Sequence, residues 1–296
     1  MIYIFLSICC SVAVSIILRL AKRYYIDVYQ AITWNYSLAI LLAGFFLKPQ
    51  FNHLQAQPFI LYSILGLLLP VMFIALAVSV RVSGIVRTDV AQRLSLFIPI
   101  AAAFFIFGED LDGLRIAGIV LCFVAILFSI PWQSKSKGAD VQSNAWVYLL
   151  MVFIGMGVVD VLFRQLALYS GVSSGTSLFM VFVFAFVFSF IGLIYQVARK
   201  QMKFSYPHIL IGWILGVINF CNILFYIKAH QALARHPSVV FSSVNIGVII
   251  LGTLTGVFIF REKLSKLNIA GIVLAIIAIV IIFHPQYLTN LFSRIF

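Results

Sequence analysis

Long apolar segments alternate with short polar connections along the whole chain. Each segment has about 20 mainly apolar residues, which is the length that an α-helix needs to cross about 30 Å of hydrocarbon. Helices are expected in lipid because they satisfy their backbone hydrogen bonds within a single segment. The pattern therefore predicts an all-α, polytopic membrane protein. Its ten transmembrane helices are predicted at residues 2–20, 29–47, 58–79, 86–107, 113–131, 145–166, 174–198, 208–229, 238–260 and 266–284.

One stretch of the chain occurs twice, at an offset of 153 residues. It reads FGEDLDGLRIAGIVL from Phe107 and FREKLSKLNIAGIVL from Phe260. Each copy holds the end of one apolar segment, a charged turn with Glu109 or Glu262, and the start of the next segment. A repeat of this length indicates an internal duplication. It predicts two five-helix repeats at residues 1–131 and 145–284, a polar linker at 132–144 and a C-terminal tail at 285–296.

Lysine and arginine are divided unevenly between the two predicted sides of the membrane. Alternate loops on one side, with the helix ends that adjoin them, carry 13 of the 20 basic residues, whereas the termini and the other loops with their adjoining helix ends carry 5. The positive-inside rule places the basic side in the cytoplasm and both termini outside. Because five helices per repeat is an odd number, the second repeat is predicted to be inverted relative to the first. We expect a multi-pass protein of the inner (plasma) membrane.

The composition is typical of the same class of protein. Of the residues, 64% are hydrophobic and 9% are charged, and the mean hydropathy is +1.14. A soluble domain carries about 25% charged residues, so lipid is the expected solvent for most of this chain. The net charge of +12 does not indicate nucleic-acid binding, because the basic residues lie between apolar segments. The four cysteines lack metal-ligand spacing, and no metal or other cofactor is expected.

Two pairs of ionisable residues lie inside predicted helices 4 and 6. Asp89 precedes Arg93 by four residues, and Asp160 precedes Arg164 by the same spacing, so each pair shares one helical face. A charge at the bilayer centre costs roughly 2.5–3.5 kcal/mol on insertion scales, so it usually faces a partner or a wet cavity. In such a cavity an arginine binds carboxylate or phosphate groups. Structural pairing within each helix is the alternative.

Amides and aromatic residues form a second group of candidates. The amides are Asn35, Gln92, Asn219, Asn222 and Asn245. These amides have two interpretations. They could bind substrate, or they could form hydrogen bonds between helices, as buried amides often do. Trp34, Tyr36 and Trp213 could line an aromatic pocket, although most aromatic residues of such a chain face lipid or core.

Glycine and proline positions predict how the helices pack and bend. Gly212-x3-Gly216 and Gly252-x3-Gly256 are the small-residue spacings that allow two helices to approach closely. Pro70 and Pro99 are expected to kink helices 3 and 4, because each removes a backbone donor.

Features of an intramembrane enzyme are not evident in the sequence. It has no His-Glu-x-x-His motif and no His/Asp cluster at catalytic spacing. The histidines all fall near the ends of predicted helices: His53, His208, His230, His236 and His284. We therefore expect that the chain is not an enzyme.

The duplicated turn, the two five-helix halves and the length resemble the drug/metabolite transporter superfamily, specifically its EamA-like branch. Gly108-Glu109 with Gly118, and Glu262 with Gly271, carry the resemblance. It implies a transporter of small organic molecules. The small multidrug-resistance relatives exchange protons on a glutamate in their first helix, and helix 1 here has no acidic residue. Asp160 and Asp89 are therefore the candidates for ion coupling.

Together these observations predict a secondary transporter that exports small organic metabolites, such as amino acids or other anionic or zwitterionic solutes, by alternating access. The alternative is a non-transporting membrane scaffold or a lipid-handling protein. The expected partners are a small-molecule solute and membrane lipid, with no nucleic acid. A monomer is expected, because internal duplication removes the need to dimerise. The residues expected to bind substrate are Arg93, Asn219, Asn222, Asn245, Arg164, Asp160, Gln92, Asn35 and Trp213.

Overall fold

The computed structural model describes residues 1–23, 27–51, 58–109, 113–129, 145–200, 204–258 and 266–283. These residues form eleven α-helices and no β-strand, which confirms the all-α prediction for the part described. In chain order the helices are α1 (Ile2–Arg23), α2 (Val28–Leu47), α3 (Phe59–Ser83), α4 (Ile85–Leu94), α5 (Phe97–Phe105), α6 (Gly113–Ser129), α7 (Ala145–Leu168), α8 (Ser174–Ala198), α9 (Tyr206–Ala232), α10 (Pro237–Phe258) and α11 (Lys266–Phe283).

Seven helical segments within the described ranges are long and apolar enough to cross a membrane. They are Val28–Leu47, Phe59–Ser83, Arg87–Phe105, Trp146–Leu168, Ser174–Ala198, Tyr206–Ala232 and Pro237–Phe258. Three shorter apolar helical segments accompany them, at Ile2–Ile17, Ile116–Phe128 and Lys266–Ile282. This set of helices is consistent with a polytopic membrane protein.

The predicted helix at residues 86–107 is interrupted between α4 and α5. Pro99 has no backbone N–H to donate to the carbonyl of Ser95, four residues earlier, and its ring would clash with that carbonyl. The Ser95 carbonyl instead accepts a bond of 3.0 Å from the N–H of Ile98. The prediction that Pro99 interrupts the helix is confirmed, whereas α3 stays a single helix through Pro70.

The chain forms two compact units, each drawn from both halves of the sequence. Unit 1 comprises Met1–Val78 and Val158–Ala232, and unit 2 comprises Ser79–Gly157 and Leu233–Phe296. The boundaries of the two sequence repeats are not tested by this division and stay a prediction. The predicted linker at 132–144 and the tail at 285–296 lie outside the described residues.

In unit 1, α9 packs against α1 and α2, and α2 also packs against α8. Glycines allow the close approach of α9 to α2. A Cβ atom added to Gly212 would lie 2.7 Å from the carbonyl oxygen of Ala31, and one added to Gly216 would lie 2.7 Å from that of Asn35. The packing role predicted for this glycine pair is confirmed.

In unit 2, α6 packs along α11, and α10 contacts α5, α6 and α11. Glu109 of the duplicated turn accepts bonds from the backbone N–H of Ser238 at 2.8 Å and from its hydroxyl at 2.7 Å. Because Ser238 lies in the first turn of α10, the carboxylate caps that helix. Its side chain is only 1% exposed, with Nδ1 of His236 at 3.7 Å. The second copy of the turn, with Glu262, lies outside the described residues.

Candidate functional site

The predicted site residues are divided between the two units. Unit 1 holds Asn35, Asp160, Arg164, Trp213, Asn219 and Asn222. Unit 2 holds Asp89, Gln92, Arg93 and Asn245. In unit 1 the structure brings some of these residues into contact with side chains that were not predicted as site residues.

An ionisable cluster, formed by Asp160, Arg164, Tyr226 and His230, lies between α7 and α9 in unit 1. The Tyr226 hydroxyl donates a hydrogen bond of 2.9 Å to Oδ1 of Asp160. The Tyr226 and His230 rings meet edge to face, with centroids 4.7 Å apart. Arg164 lies one helical turn after Asp160 on α7, on the same face. Arg164 is 2% exposed and His230 is fully buried.

The helical spacing of the four residues explains why they meet. Asp160 and Arg164 are four residues apart on α7, and Tyr226 and His230 are four residues apart on α9, so each pair lies on one face of its helix. Near the ends of the same helices, the Gln231 side-chain amide donates a bond of 3.0 Å to a backbone carbonyl of α7. This contact holds the C-terminal ends of α7 and α9 together beside the cluster.

The cluster combines a carboxyl group, a guanidinium, a phenol and an imidazole inside apolar helices. The guanidinium of Arg164 is charged under all ordinary conditions, and it can bind an anion bidentately. Asp160 and His230 can each gain or lose a proton. Ionisable groups at this depth usually mark solute pathways or proton relays, because their insertion into lipid is costly. Across the described chain, no group of three or more His, Cys, Asp or Glu side chains could hold a metal ion.

The amides of α9 link it to its two neighbouring helices. Asn219 donates a bond of 3.3 Å to Oδ1 of Asn35 on α2. Oδ1 of Asn222 accepts bonds of 2.9 Å from the hydroxyls of both Ser7 and Ser11 on α1. Interhelical hydrogen bonding, one of the two interpretations of these amides, is therefore present. Substrate binding by Asn35, Asn219 and Asn222 stays a prediction.

The aromatic candidates in unit 1 have different surroundings. Trp213 is 42% exposed, and its indole N–H donates a bond of 3.3 Å to Ser37. Tyr36 is fully buried. Trp34 lines an apolar groove whose described lining includes neither Tyr36 nor Trp213. The groove therefore differs from the aromatic pocket that the sequence suggested.

In unit 2, Arg93 donates from Nε to Oδ2 of Asp89 at 2.7 Å, so the predicted pairing within the helix is present. The two side chains are 24% and 34% exposed. The guanidinium has two further NH₂ groups with which it could bind an anion. Asn245 donates a bond of 3.0 Å to the carbonyl of Phe241 in its own helix. Gln92 immediately precedes Arg93 on α4 and is partly buried.

Two members of the cluster, Tyr226 and His230, are not among the site residues predicted from the sequence. Tyr226 was not singled out, and His230 was set aside because it lies near the end of a predicted helix. In the structure α9 continues to Ala232, and His230 is buried. The signal that could have identified both residues is their four-residue spacing in an apolar segment, which matches the spacing of Asp160 and Arg164.

A short motif was also overlooked. Residues 171–175 read Gly-Val-Ser-Ser-Gly, which matches the Gly-x-Ser-x-Gly pattern of serine hydrolases. In serine hydrolases this pattern lies in a turn between a strand and a helix. Here it lies between two helices, α7 and α8, so the structural context of the motif is absent. Ser173 is instead the N-cap of α8, and its hydroxyl oxygen accepts a bond of 3.2 Å from the backbone N–H of Thr176.

Comparisons with known proteins found a relative in sequence and a likeness in fold to solved structures. An uncharacterized protein of Haemophilus influenzae is 43% identical over 287 residues, which cover 94% of this chain and 96% of the relative. A solved crystal structure of a protein matches with a TM-score of 0.71 at 12% identity, over 95% of this chain and 94% of the other. This second likeness shows the fold alone. No protein-family model matches the chain.

Proposed function

We propose that this chain, which belongs to the same family as the Haemophilus influenzae protein, is a secondary transporter of small anionic or zwitterionic organic solutes. The observation that carries the proposal is the ionisable cluster of Asp160, Arg164, Tyr226 and His230. Placing such groups in apolar helices is costly, and they are typically retained where a solute or a proton passes. A purely structural bundle would not require a buried guanidinium beside a buried imidazole.

The proposed architecture is ten transmembrane helices in two inverted five-helix repeats, as in the EamA-like transporters that the sequence resembles. The repeat at an offset of 153 residues and the uneven division of basic residues support it. The seven long and three shorter apolar segments of the described chain are equal in number to the ten proposed spans. Inverted repeats suit alternating access, because two similar halves can exchange conformations around a fixed site.

In the proposed mechanism the arginines attract the solute and the amides orient it. Arg164 and Arg93 would bind a carboxylate or phosphate group, since a guanidinium offers two parallel donors. The amides would supply directional hydrogen bonds once their interhelical bonds are exchanged for bonds to solute. Transport by alternating access needs no covalent step. We further propose that the direction is export across the inner membrane.

Transport into proteoliposomes tests the proposal. The purified protein is reconstituted and supplied with a panel of radiolabelled amino acids, organic acids and neutral metabolites, under outward and inward gradients. We expect saturable movement of an anionic or zwitterionic solute. We expect Arg164→Gln to lower it roughly 10-fold or more, because a hydrogen bond to a charged group contributes about 1.5–3 kcal/mol.

Arg235→Gln is the matched control, because it removes one positive charge from an exposed position outside the cluster. Folding of each variant is checked by its elution profile and thermal unfolding. If the folded wild-type protein moves no solute in the panel, the transport proposal fails. A scaffold or a lipid-handling role would then be the better explanation.

A further inference from the structure

An apolar groove of about 460 Å³ lies between α2 and the C-terminal end of α8 in unit 1. Among the described residues, its lining consists of Trp34, Phe190, Leu193, Ile194, Val197, Ala198 and Phe204. The one polar side-chain atom in this lining is Nε1 of Trp34. That indole N–H is shielded from solvent and has no hydrogen-bond acceptor among the described residues. The volume falls within the range of roughly 300–1,000 Å³ that is usual for ligand pockets.

The groove runs along α8, inward from the end of its apolar segment. Its lining on α8 runs from Phe190 to Ala198, a rise of about 12 Å along the helix. Ala198 is also the last residue of the apolar segment that α8 contributes. Trp34 packs edge to face on Phe204, with ring centroids 6.3 Å apart. Tryptophan is typical of the depth at which acyl chains meet headgroups.

Arg199 and Lys200 are the described basic residues that follow α8, and they differ in their surroundings. The guanidinium of Arg199 lies over the ring of Tyr195, 5.1 Å from its centroid, and Tyr195 is not part of the groove lining. Lys200 is exposed, and its backbone has a left-handed conformation with φ 55°. It lies two residues beyond Ala198, where the groove reaches the end of the apolar segment. Because the Arg199 guanidinium lies over Tyr195, the ammonium group of Lys200 is the member of this pair that is left to meet a charged group at this end of the groove.

We propose that the groove binds one acyl chain of an anionic phospholipid, whose phosphate is held by Lys200. An apolar cleft suits an acyl chain, whereas a small charged solute would find no polar atom along its described lining except the shielded indole N–H of Trp34. A basic residue beside the membrane surface favours anionic over neutral lipid. The site is distinct from the ionisable cluster and does not depend on transport.

Fluorescence quenching by brominated lipids tests the proposal on the full-length chain. Trp132, Trp146 and Trp213 are replaced by Phe, so that Trp34 is the sole fluorophore. The protein is reconstituted into phosphatidylcholine vesicles with increasing fractions of phosphatidylglycerol or phosphatidylcholine brominated on the acyl chain. We expect the phosphatidylglycerol to quench Trp34 more strongly than the phosphatidylcholine at the same fraction. Equal quenching by the two lipids would overturn the proposal.

The two adjacent basic residues supply a matched pair of variants. Lys200→Asn retains a residue that tolerates the left-handed conformation and should lower the preference for phosphatidylglycerol about five-fold. Arg199→Gln removes the same charge one residue earlier and should leave the preference unchanged. If the two variants lower it equally, Lys200 does not hold the headgroup.

A variant that fills the groove distinguishes quenching by a lipid bound in the groove from quenching by the surrounding bulk lipid. Ala198→Phe should reduce quenching by both brominated lipids, because the added ring occupies the groove beside Trp34. Unchanged quenching would show that acyl chains do not enter. Should Ala198→Phe fail to fold, judged by its elution profile, the comparison of Lys200→Asn with Arg199→Gln still decides the outcome.

A stable dimer that leaves Trp34 protected from both lipids would mean that a second copy covers the groove, which would also overturn the proposal.

Discussion

The hydroxyl of Tyr226 on α9 donates a 2.9 Å hydrogen bond to the carboxylate of Asp160 on α7. This bond joins Asp160, which was predicted from the sequence as a site residue, to Tyr226, which was not. Arg164 follows Asp160 by four residues on α7, and the His230 ring packs on Tyr226, so the carboxylate is surrounded by other ionisable groups. From this arrangement we predict different effects of substitutions on transport and on stability.

Replacing Tyr226 by Phe should impair transport more than it impairs folding. The change removes the donor to Asp160 and keeps the ring that packs against Phe163 and His230. Interhelical hydrogen bonds in membranes contribute only about 0.6 to 1.7 kcal/mol, so thermal unfolding in detergent should shift by a few degrees at most. The initial transport rate should fall roughly 10-fold, as for loss of a bond to a charged group.

Tyr195→Phe is the control for that experiment. Tyr195 is exposed on α8 and makes its described contact through the ring, which the change preserves. Equal loss of transport in Tyr195→Phe and Tyr226→Phe would argue against a role for the bond between Tyr226 and Asp160.

The two membrane carboxylates should differ in ion coupling. Asp89 is paired with Arg93 at 2.7 Å, whereas Asp160 is bonded to a neutral phenol. A carboxyl group bonded to a neutral donor can exchange a proton without leaving an arginine unpaired. Asp160→Asn should therefore abolish solute-driven proton movement, measured with a pH-sensitive dye inside proteoliposomes, and Asp89→Asn should retain it. The reverse result would assign the coupling to Asp89.

Glu109 should be important for stability rather than for solute binding. Glu109→Gln leaves an amide, which offers one acceptor oxygen to the two donors of Ser238. Because a bond to a charged group contributes about 1.5–3 kcal/mol, the midpoint of thermal unfolding should fall clearly. Ser238→Ala removes the hydroxyl donor and keeps the backbone N–H, so its effect should be smaller. A larger loss in Ser238→Ala would show that the carboxylate is not the main cap of α10.

Two glycine pairs with the same spacing should respond differently to alanine. In Gly212→Ala the new Cβ would lie 2.7 Å from the carbonyl oxygen of Ala31, so α2 and α9 must move apart at a cost of roughly 1–3 kcal/mol. No described atom lies within 4 Å of a Cβ added to Gly252, and the packing role of the Gly252-x3-Gly256 pair stays a prediction. Gly252→Ala should raise stability by up to about 1 kcal/mol through helix propensity. Thermal unfolding of the two variants side by side distinguishes these outcomes.

These glycines show why the sequence predicted helices better than contacts. The apolar segments and Pro99 identified the helices and the break before α5, because both follow from local backbone chemistry. Gly212 and Gly252 have the same local pattern, and among the described residues only Gly212 lies against a neighbouring helix. The same holds for Tyr226, whose helical spacing is visible in the sequence but whose approach to Asp160 depends on which helix packs opposite. Hydrogen bonding of Asn222 to Ser7 and Ser11 is likewise a product of tertiary packing.

Labelling of cysteines on intact cells tests the proposed topology. Ser170 and Arg199 are exposed residues at opposite ends of α8, about 40 Å apart if the helix is straight. In a background without Cys9, Cys10, Cys122 and Cys221, Ser170→Cys should react with a membrane-impermeant maleimide from outside. Arg199→Cys should react only after the cells are permeabilised, since it lies on the side with most basic loops. Reaction of both from outside would show that α8 does not cross the membrane, and a reversed pattern would invert the proposed orientation.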